Sequence, residues 1–286
     1  MISDITLGQF FPGNSIIHRL DPRTKIILAT IFIVAVFLAA NPASFALLVL
    51  AVVFMVAASQ ISFSVIFKGI KPIVFILAFT AIINVFLTDG EGEPLVSFWV
   101  IEIYKEGIIR AIFMVLRVIV LIIGTSTLLT YTTSPIALTD GIESLFSPLK
   151  AIGVPVHIFA MMMTIALRFI PTLIEETEKI MNAQKSRGAD FSSGGLIKRA
   201  KALIPILIPL FVSSFKRAEE LATAMECRCY RGDKNRTKLV KLTYRASDVF
   251  FMLFALIFLG AVIVGRILPY NYQIDSLIYN ILFYRL

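Results

Sequence analysis

The residues in this chain best suited to do chemistry are two arginines, Arg187 and Arg228, set 41 positions apart and each flanked by small residues: Ser186-Arg187-Gly188 and Cys227-Arg228-Cys229. Each motif follows a helix-like run that is apolar at its start and charged toward its end, and each arginine has an alanine four positions before it, Ala183 and Ala224. An arginine at the end of a helix opposes the negative end of the helix dipole. Its planar fork of donors suits a carboxylate or a carbonyl-lined groove, and small neighbours let a partner's backbone come close. Gly188 can also supply a left-handed helix stop. For either motif alone, a solvated helix-end charge is the plainer reading. Recurrence favours a shared job: two arginines reaching into two copies, or two homologues, of one partner.

Other chemistry is missing from the string. No G-x-x-x-x-G-K-[ST] and no H-E-x-x-H is present. His18 and His157 are the only histidines, so a histidine-rich metal site cannot be built, and His157 between Val156 and Ile158 reads as a packing residue. Without a histidine near a G-x-S-x-G there is no nucleophilic assembly. No carboxylate is placed at mid-span, as a proton-coupled transporter would need. The two cysteines, Cys227 and Cys229, read as reduced cytosolic thiols, since a lone C-x-C is weak evidence for zinc and cannot make a disulfide framework. The expectation is a non-enzyme that transmits force or shape.

The elements that must position the arginines lie in a membrane protein. Hydrophobic residues make up 58% of the 286, charged residues only 16%, and mean hydropathy is +0.86, against about a quarter charged in soluble domains. No removable signal peptide is read at the N-terminus. The polar approach His18-Arg19-Leu20-Asp21-Pro22-Arg23-Thr24-Lys25 marks a cytoplasmic membrane edge, or else Asp21 or Arg23 makes a specific contact. Residues 26–58 are almost all apolar but broken by Asn41-Pro42, giving two short spans of about 24 Å each. A third span is expected over 72–87 and a fourth over 107–131. The latter carries Arg117, which either packs against a neighbouring carbonyl or hydroxyl or meets a partner membrane subunit. Between them an acidic turn, 89–94, leads into a short interfacial hairpin holding Trp99, the only tryptophan. A last span covers 247–267, and the tyrosine-rich tail 268–286 reads as interfacial.

Charge orients the chain. Residues 132–247 hold 17 of the 27 lysines and arginines, whereas 89–106 holds five carboxylates against Lys105 alone. Two further apolar stretches, 152–174 and 203–212, could be spans by hydropathy. Crossing twice would put Lys179, Lys185, Arg187, Lys198, Arg199 and Lys201 outside, against the positive-inside bias, and would separate the two motifs. Both are therefore expected on the cytoplasmic side, as segments that turn amphipathic toward their C-termini, with Pro171 bending or dividing the first. Turns are expected at 190–195 and 233–237. The fold class is an all-α polytopic membrane protein with about five transmembrane helices, organised as a membrane part (1–131), a cytoplasmic segment (132–246) and a last span with its tail (247–286).

These residues carry a resemblance. The paired small-Arg-small motifs, in order and spacing, resemble those of the EcfT/CbiQ family, the transmembrane T component of energy-coupling factor (ECF) transporters. The approach 18–25, the run from Ala166 to Pro171, and five spans with a large cytoplasmic segment before the last support it over nearly the whole chain. Cys227 and Cys229 depart from the alanine and glycine more usual there, leaving small residues but changing fit and redox sensitivity. The resemblance implies a bacterial cell-membrane subunit without catalysis or cofactor of its own. It would join two ABC-type ATPases, which bind ATP and Mg, to a substrate-binding S component for vitamin or metal uptake. Ser186, Arg187 and Gly188 would dock one ATPase, and Cys227, Arg228 and Cys229 the other. Phe159, Met161, Met162, Met163, Leu203, Leu207 and Phe211 would offer the S component a slippery surface, although the methionines suit ordinary packing equally. Overall similarity favours a module shared among S components over a dedicated cobalt or nickel version. Lipid is an expected neighbour and nucleic acid is not. The rival from another class is a membrane scaffold whose basic segment binds anionic lipid or other proteins.

Overall fold

The structure, a computed structural model, describes residues 10–88, 96–98, 101–189, 191, 195–230, 232 and 242–267. The acidic turn 89–94, Trp99, most of the turn 190–195, the turn 233–237 and the tail 268–286 lie outside the described residues. The described residues form two compact units, one drawn from 10–134 and 242–267 and the other from 135–241.

The first unit is a helical bundle. Asp21 caps α1 (Pro22–Leu38) by accepting the Arg23 N–H at 2.9 Å, with Pro22 in the first turn, where its missing N–H costs nothing. The expected break is real: α1 stops at Leu38, and α2 (Pro42–Ser59) starts at Pro42. The third span is longer than expected. α3 (Phe63–Ile70) passes through a 3-10 turn, Lys71–Ile73, into α4 (Val74–Leu87), so Pro72 sits in the first turn of a tighter helix and does not begin the span. A two-stranded antiparallel hairpin follows, β1 (Val96–Phe98) with β2 (Ile101–Ile103). Then α5 (Lys105–Thr125) runs into one π turn at Ser126–Thr130, and α9 (Ala246–Ile267) completes the bundle.

Side chains fix the register. Phe32 of α1 packs against Gly124 of α5 so closely that a Cβ there would clash with the ring. Seven residues on in α1 and seven back in α5, Arg117 donates to the Ala39 carbonyl at 2.8 Å and lies over the Phe45 ring. At the other end Lys25 donates to the Thr132 carbonyl at 2.8 Å. Helices α1 and α5 are therefore antiparallel. Asp248 meets Asp21 and Asn41 meets the Gly265 carbonyl, so α9 runs parallel to α1. Between these ends Leu28, Phe32, Val36, Phe45, Leu48, Val52, Val120 and Val262 form the core. The chain thus leaves α5 and re-enters α9 at the same end of the bundle as the start of α1.

Five helical stretches are long and apolar enough to cross a membrane: Pro42–Ser59, Phe63–Leu87, Glu106–Thr130, Val156–Ser186 and Ala246–Arg266. The protein is a multi-pass membrane protein. The set differs from expectation at two places. α1, at 17 residues, falls short by length although it lies at the centre of the bundle, and α7 (Val156–Ser186) qualifies on its apolar first half.

The second unit holds α6 (Pro135–Leu145), a 3-10 turn at Ser147–Ile152, α7, and α8 (Leu196–Cys227). Pro171 does not divide α7, which is one element of 31 residues, and α8 runs through both Pro205 and Pro209 for 32. Each proline removes one hydrogen bond from a ladder of many, a local loss that a long helix survives. α6 and α7 are tied by His157, whose Nδ1 lies 2.9 Å from Glu143 Oε1.

Candidate functional site

Both arginine motifs end their helices in the same way. Arg187 is the capping residue of α7 (φ −88°, ψ 7°) and Arg228 that of α8 (φ −89°, ψ 15°). The next residue turns left-handed in each, Gly188 at φ 87° and Cys229 at φ 56°. The N–H of Gly188 then donates to Lys185 O at 2.9 Å and that of Ala189 to Gln184 O at 3.0 Å; the N–H of Cys229 donates to Glu226 O at 2.8 Å and that of Tyr230 to Met225 O at 3.0 Å. These paired bonds, from the first and second residues past the cap, constitute a Schellman stop, built twice. Gly188 does so without strain; Cys229 carries a Cβ in a region that costs an L-residue about 1 kcal/mol.

Ser186, Arg187, Gly188, Cys227, Arg228 and Cys229 are all exposed, and an added Cβ at Gly188 would touch nothing. Among the described residues neither guanidinium has a protein partner, and the two thiols are free. The motifs are not brought together: each stands at its own helix tip. What joins the helices is Arg217 of α8, whose Nη2 lies 3.3 Å from Glu176 Oε2 of α7.

The apolar face expected on these helices is present. Phe159, Met162 and Met163 of α7 and Leu203, Leu207 and Phe211 of α8 are exposed, while Met161 is half-buried. The α8 face is broader than the three residues chosen from sequence. Phe215 extends the i, i+4 row, its ring 5.9 Å from that of Phe211, and Ile204, Ile208 and Val212 add a parallel row. The spacing of four was legible and should have led to Phe215. Among the described residues no cluster of His, Cys, Asp and Glu is arranged to hold a metal.

Sequence comparison supplies what geometry cannot. Residues 13–239 match the family model CbiQ, described as cobalt transport protein. The chain belongs to the EcfT/CbiQ family of energy-coupling factor transmembrane proteins. It is 52% identical to the energy-coupling factor transporter transmembrane protein EcfT of Clostridium kluyveri, over 93% of this chain and 98% of the relative. It is 55% identical to EcfT of Acidaminococcus fermentans, over 87% and 91%. It is 49% identical to EcfT of Bacillus subtilis, over 87% and 93%. Within the EcfT/CbiQ family, then, the two Schellman tips and the exposed apolar faces are the features to which a function must be attached.

Proposed function

We propose that the chain is the non-catalytic coupling subunit of an ECF-type importer, in which Arg187 and Arg228 each dock one of two ABC-type ATPases and the apolar faces of α7 and α8 carry a substrate-binding S component. The observation that carries the reading is the duplicated stop: two helices present the same exposed arginine on the same backbone turn, as two equivalent sockets on a pair of related partners would require. ATP and Mg belong to those partners. Nucleotide-driven closure of the ATPase pair moves the two tips, and the crossing helices pass that motion to whatever rests on their apolar faces.

Orientation follows from charge. The bundle end where α1 begins and α5 finishes carries Arg19, Arg23, Lys25 and Arg245, and Gly69 abuts the Tyr131 hydroxyl there, bringing Lys68 and Lys71 to the same end. The positive-inside bias makes that end cytoplasmic. α8 brings Lys198, Arg199, Lys201, Lys216 and Arg217 and falls outside the set of spanning helices. Because the chain leaves α5 and enters α9 at one end of the bundle, 135–241 would cross an even number of times or not at all; on this reading neither α7 nor α8 crosses, and both lie on the cytoplasmic side. The substrate is chosen by the S component; the general ECF name of the relatives favours a shared module over one dedicated to cobalt or nickel.

The test is co-purification from membranes with the two ATPases. Wild type should retain both, and Arg187→Ala with Arg228→Ala should retain neither while inserting normally. Full retention by the double variant would favour the scaffold reading.

A further inference from the structure

Outside the two tips, the most heavily buried charges of the bundle sit together where the chain leaves for 135–241 and where it returns. Lys25 is 2% exposed and Asp248 fully buried. The Lys25 ammonium donates to the carbonyls of Thr132 at 2.8 Å and His18 at 3.3 Å and to Thr133 Oγ1 at 3.1 Å. The Asp248 carboxylate accepts the backbone N–H of Asp21 at 2.9 Å and of Arg245 at 2.7 Å. Asp21 is itself buried, and the Arg23 guanidinium lies over the Tyr244 ring, 5.2 Å from its centre. Asp248 and Asp21 both act on Lys25 electrostatically. Lys25, Arg23, Asp21 and Asp248 balance to zero net charge, which is how a buried cluster of ions tolerates its loss of water.

The partners are informative. Thr132 and Thr133 lie three and two positions before the second unit begins at Pro135, and Tyr244 and Arg245 follow just after it ends at Lys241. Both connections are therefore held to the start of α1 by charge-assisted bonds, all but that to the Thr133 hydroxyl on main-chain atoms that cannot shift independently of the backbone. A bundle needing only stability would be served as well by apolar packing at this point.

We infer that Lys25, with Asp21 and Asp248, is a positioning cluster that clamps both chain connections of the coupling unit to α1, so that movement of that unit reaches the membrane bundle without slack. The inference rests on reading 135–241 as the coupling unit. It makes Lys25 a residue of force transmission, acting through the chain exits and touching neither ATPase nor substrate.

The test uses the full chain in lipid nanodiscs, with Cys227→Ala and Cys229→Gly and spin labels at Leu50→Cys and Ile197→Cys, both highly exposed positions. Lys25→Met should at least double the width of the inter-label distance distribution. Thr133→Val, which removes one acceptor, should broaden it less, and Thr133→Ser, which restores the hydroxyl, should return the wild-type width. Wild-type width in Lys25→Met overturns the proposal, as does wild-type width in Thr133→Val where Lys25→Met does not insert. ATPase capture by the tip arginines is a separate readout, so the docking reading and the clamp can fail independently.

Discussion

Arg217 Nη2 and Glu176 Oε2 meet at 3.3 Å, and each residue lies eleven positions before the arginine that ends its own helix. The contact therefore divides α7 and α8 into equal terminal arms of about 16 Å. The link 187–195 has nine residues and spans at most about 35 Å, too short for α8 to run parallel to α7 from that crossing. The arms must diverge, and two tips that diverge can address two separate bodies.

Divergence gives a distance. Spin labels at Ser186→Cys and at Cys227, with Cys229→Gly, should report a mean separation of about 25–35 Å, the spread expected of two 16 Å arms opening by a right angle or more. A mean under about 20 Å would mean that the helices fold back on one another.

The crossing itself is a modest anchor. Both side chains are about one-third exposed, so Glu176→Gln should cost global stability less than about 1 kcal/mol by thermal unfolding. Its effect should appear in function, as lower substrate uptake per ATP hydrolysed in reconstituted complexes. Unchanged uptake would leave packing alone to hold the arms.

Cys229 occupies a left-handed position without being glycine. Cys229→Gly should relieve about 1 kcal/mol of local strain, and Cys229→Val should add at least as much, fraying the last turn of α8. Hydrogen exchange at the Tyr230 amide reads this directly: slower in the glycine variant, several-fold faster in the valine variant, with Ala189 unchanged in both.

Arg117 should prove structural. Replacing it by methionine leaves the Ala39 carbonyl unpaired and removes the contact with Phe45, a loss on the order of 2–3 kcal/mol. The melting temperature should fall by several degrees while ATPase co-purification persists.

Charge placed on the α8 face should separate the two partnerships. Leu207→Asp with Phe211→Asp should abolish S-component capture and spare the ATPases, because both side chains are exposed and lie more than four helical turns from Arg228. Capture at wild-type levels would move the docking surface elsewhere.

Much of this was written in local signals. Asn41-Pro42 announced a break because proline constrains its neighbour wherever it stands, and Gly188 announced a left-handed stop because glycine alone adopts it freely. Cys229 gave no such signal, so the sequence offered a stop at Gly188 alone, and the second is a finding of the structure. Pro171 left bending and dividing both open, and the helix is undivided: a proline predicts a lost hydrogen bond, and only the surrounding helix decides whether that ends it. The charged cluster at the chain exits was only partly visible: a specific contact of Asp21 or Arg23 was one of two expected readings of 18–25, and the structure shows both residues in contact, but the partners could not be named from sequence. Lys25 bonds a carbonyl 107 residues away and Asp21 a carboxylate 227 residues away, and a main-chain oxygen has no letter in the sequence.

The place of α9 sets an order of assembly. It is the last helix described and it closes the core beside the first, with Val262 packed into it. Translation reaches it only after the 107 residues of 135–241, a wait of about 5–20 s at ordinary elongation rates. Until then the flank of α1 lacks its neighbour and the Lys25 ammonium has no Asp248 to face. Newly made chains thus pass through a half-built stage that lipid, a chaperone or an insertase must shelter, and truncations before residue 246 should be degraded rather than accumulate.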